Sequence, residues 1–370
     1  MNIGDESISF APGSFEGKAW KKKLHLSQVS FLSKTDANET HKFHKKALKN
    51  MKAAIRSTYG PPDVISIEEV KTPAPKDHEI LVRVHAATVN RTDCGILSGK
   101  PLLIQCFTGL GKPNSPTPGT DFAGEVESVG KLVTAFKAGD KVWGFNDNGL
   151  ASHAQYLRIS ERAAVLKIPA NITYEQAAAS AEGAHYAINF INKVKLKVGQ
   201  KVLVNGATGA IGSAAVQILK YRGIYVVAVC DTKNVALVAS MGPDKIVDYK
   251  KEDFTKLNEK FDFVFDAVGK STFGKCKPLM LPGGIYISSE LGPNAENLYL
   301  PLITKIRGGQ RVIFPVPYNI KGSLNYMQNL LEKGKFKPLI DRKYPLEKIR
   351  EAYQYVASGQ KTGNVILTFE

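Results

Sequence analysis

The chain reads as an α/β protein in which a β-rich lobe precedes a doubly wound parallel sheet. Short β-branched runs cut by Gly and Pro fill residues 51 to about 170. From about 200 to 315, strand-like runs alternate with helical ones. At the head of that alternation stands VNGATGAIGSAAVQ, residues 204–217, a glycine-spaced turn between a β-branched run and an alanine-rich helix. Alternation of this kind predicts βαβ units, because parallel strands need a crossover and the crossover helices cover both faces.

The elements follow in order. Residues 1–50 mix polar, Lys-rich and His-containing stretches with no period of 2 or 3.6, which predicts a mostly disordered extension. They lack the apolar core of a secretory signal, and with no Arg and five acids they differ from a typical transit peptide, so organellar targeting is a weaker reading. Met51 opens the first strand-like run, MKAAIRS, followed by EILVRVHAATV, EVESVG, DKVWGF and AAVLKIP, the pattern of a small all-β lobe. Thr173 is placed to cap a helix, with Glu175 and Gln176 in its first turn. Beyond it KVLVNG, SAAVQILKYR, YVVAVC, VALVASMG, KIVDY, FDFVFDAVG and GGIYISS alternate strand and helix. Two amphipathic helices, LNYMQNLLEKGK and LEKIREAYQYVASG, and a strand, GNVILTFE, close the chain.

At 370 residues the chain exceeds the size at which one core stops growing, so two lobes are expected. The formal charge of +16 comes partly from nine Lys in residues 1–50. The rest is spread without a basic stripe interleaved with aromatics, which argues against nucleic acid and leaves peripheral contact with an anionic membrane open. Cys94, Cys106, Cys230 and Cys276 fit neither a zinc ribbon nor a disulfide scaffold, so reduced thiols and a cytoplasmic location are expected.

In the glycine turn, Gly209 stands where backbone meets a pyrophosphate and Gly212 where helix and strand pack closely; Ala207 occupies the usual place of a first Gly. The helix that follows aims its free amides at the phosphates. Asp231 ends the second strand, where an acid binds both ribose hydroxyls of NAD; Lys233, two residues on, favours the 2′-phosphate of NADP. Cofactor preference is therefore left open. Gly269-Lys270-Ser271 imitates the end of a triphosphate-binding loop, but Val264 stands where its leading Gly belongs.

Residues 51–370 resemble the medium-chain dehydrogenase/reductases, and within them the zinc-free, zeta-crystallin-like quinone oxidoreductases. The likeness rests on YGPPDVISIEEV, VNRTDCGILSG, PGTDFAGEVESVG, FKAGDKVWG, the GATGAIG turn, FDAVGKSTF and YPLEKIREAYQYVASGQKTGNVIL, in the family's order. It implies a GroES-like domain over 51–175, rejoined by 316–370, and a Rossmann domain over 176–315. Zinc-dependent members carry Cys where this chain has Asn90 and a His-Glu pair where it has Thr120-Asp121. Asn and Thr are poor zinc ligands, so a site without metal is expected.

By the same resemblance Asn90 lies beside the nicotinamide and the acceptor, with Asp93 supporting it; the plainer alternative is an Asn satisfying a strand-end turn. Gly209, Ala210, Ile211 and Gly212 would follow the pyrophosphate, and Asp231, Thr232 and Lys233 the adenosine ribose. Tyr249 would border the adenosine phosphate, although a lone Tyr there is as often a packed strand end. Val268 and Gly269, with Leu291 and Gly292, would frame the nicotinamide, and Asn364 would complete the cleft. In EGAHYAI, where relatives read closer to GGLTAL, Tyr186 either donates a proton to a developing oxyanion or packs beside His185 and narrows the acceptor pocket.

The resemblance implies NAD(P)H-dependent reduction of quinones, or of the C=C bond of α,β-unsaturated carbonyls, by direct hydride transfer without zinc. The other reading is an NAD(P)H-binding protein with little turnover and an interaction role. A homodimer is expected by resemblance.

Overall fold

The parallel sheet predicted from the alternation is present, and its C-terminal edges open the crevice in which the candidate site lies. A computed structural model describes residues 50–369. The expectation of disorder for residues 1–50 falls almost wholly outside them. Within Leu48–Glu370, one compact unit, the strands are β1 (Asn50–Ile55), β2 (Ser66–Lys71), β3 (Glu79–Val89), β4 (Asp121–Val129), β5 (Lys141–Phe145), β6 (Tyr156–Ser160) and β7 (Val165–Lys167). They continue with β8 (Lys201–Asn205), β9 (Tyr225–Cys230), β10 (Lys245–Asp248), β11 (Phe261–Asp266), β12 (Met280–Ser288), β13 (Arg311–Ile313), β14 (Ile340–Pro345) and β15 (Asn364–Thr368).

Six strands form the parallel sheet in the order β10-β9-β8-β11-β12-β13. The order reverses between β8 and β11, and at such a switch point the two following loops diverge and leave a crevice. The turn after β8 holds Gly206 to Gly212; the turn after β11 holds Val268 and Gly269. Seven strands form the second sheet, β14-β15-β3-β4-β5-β7, with β6 paired to β3. The return of the chain end is part of this sheet: β15 pairs antiparallel with β3, Val365 opposite Val89. The residues just before β15 are thereby placed near the end of β3, where Asn90 begins a helix.

The expected capping residue does its work. Thr173 accepts from the amide of Gln176, Gln176 reciprocates, and helix Tyr174–Ala179 follows. A second helix, Glu182–Asn192, carries buried residues nearly all round its surface. Such a helix is packed on several sides. Indeed one hydrophobic cluster runs from Ala86, Ala123, Trp143 and Phe145 of the seven-stranded sheet, through the Ala-rich 174–192 segment, to Val202, Val204 and Phe265 of the parallel sheet. The two sheets share a core.

Helix Arg91–Ser98 has no clear sequence signal, since Gly95 and the polar RTDC run lower its intrinsic propensity. It exists because Asn90 and Asp93 cap one another at its start and because Ile96 and Leu97 are buried. Helix Glu296–Arg307 was equally unmarked: Pro301 lies within it and Leu302 and Ile306 face outward.

Candidate active site

The glycine turn meets the geometric demands of a phosphate cradle. Gly206 has φ 81°, a left-handed conformation that favours Gly. A Cβ on Gly212 would lie 2.1 Å from the carbonyl oxygen of Gly206, so only Gly allows the helix Ala210–Tyr221 to start this close to β8. Gly209 differs. Its φ is −71°, and the nearest atom to an added Cβ would be the Gly206 carbonyl oxygen at 3.6 Å. Space is open in front of it, and no side chain caps the helix it precedes. The first-turn amides of that helix, those of Ala210, Ile211 and Gly212, are the donors that a helix leaves without internal partners. These residues fit the pyrophosphate of a dinucleotide.

The chain end closes one wall. Gly363 bridges Gly209 and donates its amide to the Thr208 carbonyl at 2.7 Å. Asn364 is therefore beside the turn, but its side-chain amide donates to the Leu339 carbonyl at 2.9 Å, so it holds the wall together. At the far end of β9, Asp231 accepts from the Asn234 amide at 2.5 Å, and Lys233 Nζ stands 3.8 Å from its other oxygen. Thr232 donates to Asp248, and Tyr249 is half exposed next to it. On the opposite side, the amide of Gly269 donates to Asp266 at 3.0 Å, and the backbone at Gly292 is left-handed. Glu290, just before Leu291, lies 3.9 Å from Arg91 and so links this loop to the helix that follows Asn90.

Asn90 sits on a buried polar shelf. Its amide nitrogen donates to Thr88 Oγ1 and, at 3.3 Å, to Asp121 Oδ2. Asp121 also takes the Thr88 amide at 2.7 Å and the Thr88 hydroxyl. His153 supports the shelf from below: Nε2 contacts the Thr88 carbonyl at 2.9 Å and Nδ1 the Tyr353 hydroxyl at 3.3 Å. A carbonyl only accepts, so Nε2 carries the proton and Tyr353 donates to Nδ1. Burial keeps this ring neutral, its pKa lowered to about 4. Asp93 accepts the Asn90 backbone amide at 2.8 Å through Oδ2, and the buried Thr120 hydroxyl lies beside its carboxyl.

Zinc does not fit this donor set. Asn90 and Thr120 are a neutral amide and a hydroxyl, and both Asp121 oxygens are committed to Thr88. Among the described residues, no group of three or more His, Cys, Asp or Glu side chains is placed to hold a metal ion.

The carboxyls here are pushed toward their neutral forms. Burial raises Asp93 to about 8, with the neighbouring charge of Asp121 adding to it. Burial likewise raises Asp121 to about 7 against the hydrogen bonds from Thr88. Tyr186 reaches the same neighbourhood: its hydroxyl donates to Asp147 at 3.0 Å, and burial raises its pKa far above the usual range. His185 turns the other way, fully buried against Phe145 and 2.9 Å from the Ser323 hydroxyl, and burial lowers its pKa to about 4. Its 3.8 Å approach to Asp147 is thus no ion pair at neutral pH.

The structure brings Asn90, Asp93 and Tyr186 into one neighbourhood, and sets the glycine turn, Val268 and Gly269 around one crevice. Three further residues belong with the first group: Thr92, Glu182 and Lys361. Thr92 donates to Glu182 at 2.5 Å, and Lys361, whose ammonium donates to the Gly363 carbonyl at 2.5 Å, lies within electrostatic reach of the same carboxyl. The departure EGAHYAI contained the signal for Glu182, since an acid in an Ala-rich, apolar stretch is unusual; nothing local marks Thr92 or Lys361.

Two outcomes follow from the glycines. Gly209→Val folds and loses dinucleotide binding by at least about tenfold, because β-branched bulk enters the open space; Gly212→Val instead lowers the unfolding temperature. Fluorescence titration with NADPH and thermal melts check both, and unchanged binding by Gly209→Val would remove the turn from the cofactor site. A third concerns pH. A carboxyl with a raised folded-state pKa stabilises the fold below its unfolded value, and that contribution is lost as pH rises through the folded value. With Asp121 moving from 3.8 to about 7 and Asp93 from 3.8 to about 8, the melting temperature falls as pH rises across that interval. Asp121→Asn flattens the fall; an identical pH dependence in the variant contradicts the assignment.

Comparison with known proteins agrees with this geometry. The family profile described as "Alcohol dehydrogenase GroES-like domain" matches residues 76–170, and the one described as "Zinc-binding dehydrogenase" matches 241–367. The chain is 31% identical over 335 residues to "Quinone-oxidoreductase homolog, chloroplastic" of Spinacia oleracea, spanning 87% of this chain and 99% of that protein. It is 30% identical to "NADPH-dependent alkenal/one oxidoreductase, chloroplastic" of Arabidopsis thaliana, over 86% of this chain and 80% of the relative. The solved quinone oxidoreductase from Coxiella burnetii superposes with a TM-score of 0.77 at 25% identity, over 87% of this chain and 100% of that one. A cradle for a dinucleotide, a GroES-like sheet and relatives aligned over most of the length place the chain in the medium-chain dehydrogenase/reductase family, in its quinone oxidoreductase branch.

Proposed function

We propose that the protein uses NAD(P)H to reduce quinones or the activated C=C bonds of α,β-unsaturated carbonyls by direct hydride transfer, without zinc. The observation that carries this reading is the pairing of an open-faced glycine turn with a polar shelf at Asn90 whose donors do not suit a metal. The named activities of relatives, quinone oxidoreductase and alkenal/one oxidoreductase, point to the same acceptors.

Bound NAD(P)H supplies a hydride. The chain supplies position and polarity. Amides at Ala210 and Ile211 hold the pyrophosphate, Asn90 orients the acceptor beside the nicotinamide, and Val268, Gly269, Leu291 and Gly292 frame that ring. With no Lewis acid to stabilise an alkoxide, an electron-poor acceptor is favoured over an alcohol. Asp231 repels a 2′-phosphate, and the Lys233 ammonium 3.8 Å away offsets part of that repulsion, so both cofactors are accepted.

Oxidation of NADPH and NADH is to be followed with a panel of quinones and enones, before and after chelation. Turnover that survives chelation is expected, and Asp231→Ser shifts preference toward NADPH. Loss of activity to a chelator with rescue by zinc would sink the metal-free reading.

The chloroplast names of two relatives favour organellar targeting by residues 1–50 over a cytoplasmic tail. A fluorescent protein fused behind residues 1–50 is expected to reach an organelle, and a diffuse cytoplasmic signal contradicts it.

A further inference from the structure

Glu182, first residue of the helix Glu182–Asn192, has one carboxyl oxygen engaged and one free. Oε1 accepts from the Thr92 hydroxyl at 2.5 Å; Oε2 is buried with no hydrogen-bond partner, and the residue is 6% exposed. Its position is set by three walls of the cleft. Gly183, the next residue, lies so close to the phosphate-turn helix that a Cβ there would be 2.8 Å from the Ala210 Cβ. Thr92 belongs to the helix that starts at Asn90. Lys361, whose ammonium donates to the carbonyl of Gly363, the residue that bridges Gly209, lies within electrostatic reach of the carboxyl.

A line of exchangeable groups runs outward from this carboxyl. The Thr92 hydroxyl that bonds Glu182 also faces the Tyr186 hydroxyl, one helical turn from Glu182. Tyr186 in turn bonds Asp147 at 3.0 Å, and the Asp147 side chain is 24% exposed. Hydroxyls and protonated carboxyls both donate and accept, so a proton can pass along such a line.

We propose that Glu182 is the acid that protonates the reduced acceptor, and that Thr92, Tyr186 and Asp147 return a proton to it from solvent. This rests on the reductase reading above. For an enone, hydride from the reduced nicotinamide forms the new C–H bond at the β-carbon and breaks the C=C π bond, leaving an enolate. The enolate takes the proton from Glu182 Oε2, giving the saturated carbonyl, oxidised cofactor and a carboxylate. That carboxylate takes the Thr92 proton; the Tyr186 hydroxyl, which donates to Asp147 at rest, turns to give its proton to Thr92, and Asp147, protonated from solvent, gives one back to Tyr186.

The surrounding charges suit a carboxyl that keeps its proton until used. Asp93 from the helix 91–98, Asp121 from β4 and Asp147 all face Glu182, and burial with these like charges raises its pKa well above the usual range. Lys361 opposes them, although burial lowers its own pKa. Cys94, Tyr353 and Tyr186 also face the carboxyl, each with its ionised form disfavoured by burial. Asp147, nearer solvent, is raised only to about 6.

The competing view is that Glu182 merely ties its helix to Thr92 and complements the helix N-terminus. The full chain, Glu182→Gln and Tyr186→Phe separate the two. In the cofactor-free protein at neutral pH, Asp93 and Asp121 add carbonyl bands of protonated buried carboxyls to both spectra, and the band expected from Glu182 is the one that remains in the infrared difference between the wild type and Glu182→Gln. NADPH affinity is kept while kcat falls by about 10²- to 10⁴-fold, the range of a lost general acid, and the pH dependence of kcat flattens. Tyr186→Phe keeps the band and the first turnover but slows later ones. Wild-type kcat and pH profile in Glu182→Gln, or no carbonyl band in the wild type minus Glu182→Gln difference, overturns the proposal. If Glu182→Gln does not fold, equal first and later turnovers in Tyr186→Phe do so. A wild type that reduces no quinone or enone fails the reductase reading instead, and the infrared difference band still reports the proton on Glu182.

Discussion

Two helices meet at Gly183 and Ala210 with almost no side chain between them, and the site is arranged around that contact. A Cβ on Gly183 would lie 2.8 to 3.0 Å from Ala210 atoms, so the approach is as close as backbone allows. Interiors pack at crystal-like density and transmit such constraints. One helix begins at the phosphate turn; the other begins at Glu182 and meets the seven-stranded sheet where His185 packs on Phe145. The contact therefore fixes the distance between cradle and shelf. It also accounts for the shared core, since the Ala-rich segment can touch both sheets only if its side chains are small.

The shelf under Asn90 shows how positions that hold metal in zinc-dependent relatives work in a chain without the ligands. Where a cation would balance buried carboxylates, protons and hydrogen bonds do so. Asp121 is satisfied by the backbone and hydroxyl of Thr88, His153 stays neutral beneath it, and Asp93 is pushed up to about 8. Burying an unpaired charge costs several kcal/mol. Raised carboxyl pKa values are how such a cluster avoids that cost, and they leave exchangeable protons in the crevice.

Much of the fold was legible because it depends on short-range rules. Thr173 and Gln176 cap a helix wherever they meet with that spacing, and the β-branched runs around GATGAIG pair as parallel strands because helices separate them. The helix at Arg91–Ser98 was not legible: Gly95 and its polar run lower its propensity, and it is held by capping and by burial of Ile96 and Leu97. Asn364, expected by resemblance to complete the cleft, follows the Gly363 that bridges Gly209, and its side-chain amide donates to the Leu339 carbonyl.

The sequence by itself determined the alternation of strands and helices, the glycine turn with its demand for missing side chains, and the absence of zinc ligands at Asn90 and Thr120. Each is a property of neighbouring residues. Only the tertiary structure decided that Thr92 meets Glu182 and that Tyr186 meets Asp147, because the helix that carries Glu182 and Tyr186 reaches Thr92 and Asp147 from separate segments that meet through sheet pairing and a helix contact. The same holds for their protonation. A carboxyl's pKa depends on what surrounds it, and for Glu182 those surroundings exist only once β15 has returned to β3 and Gly183 has met Ala210.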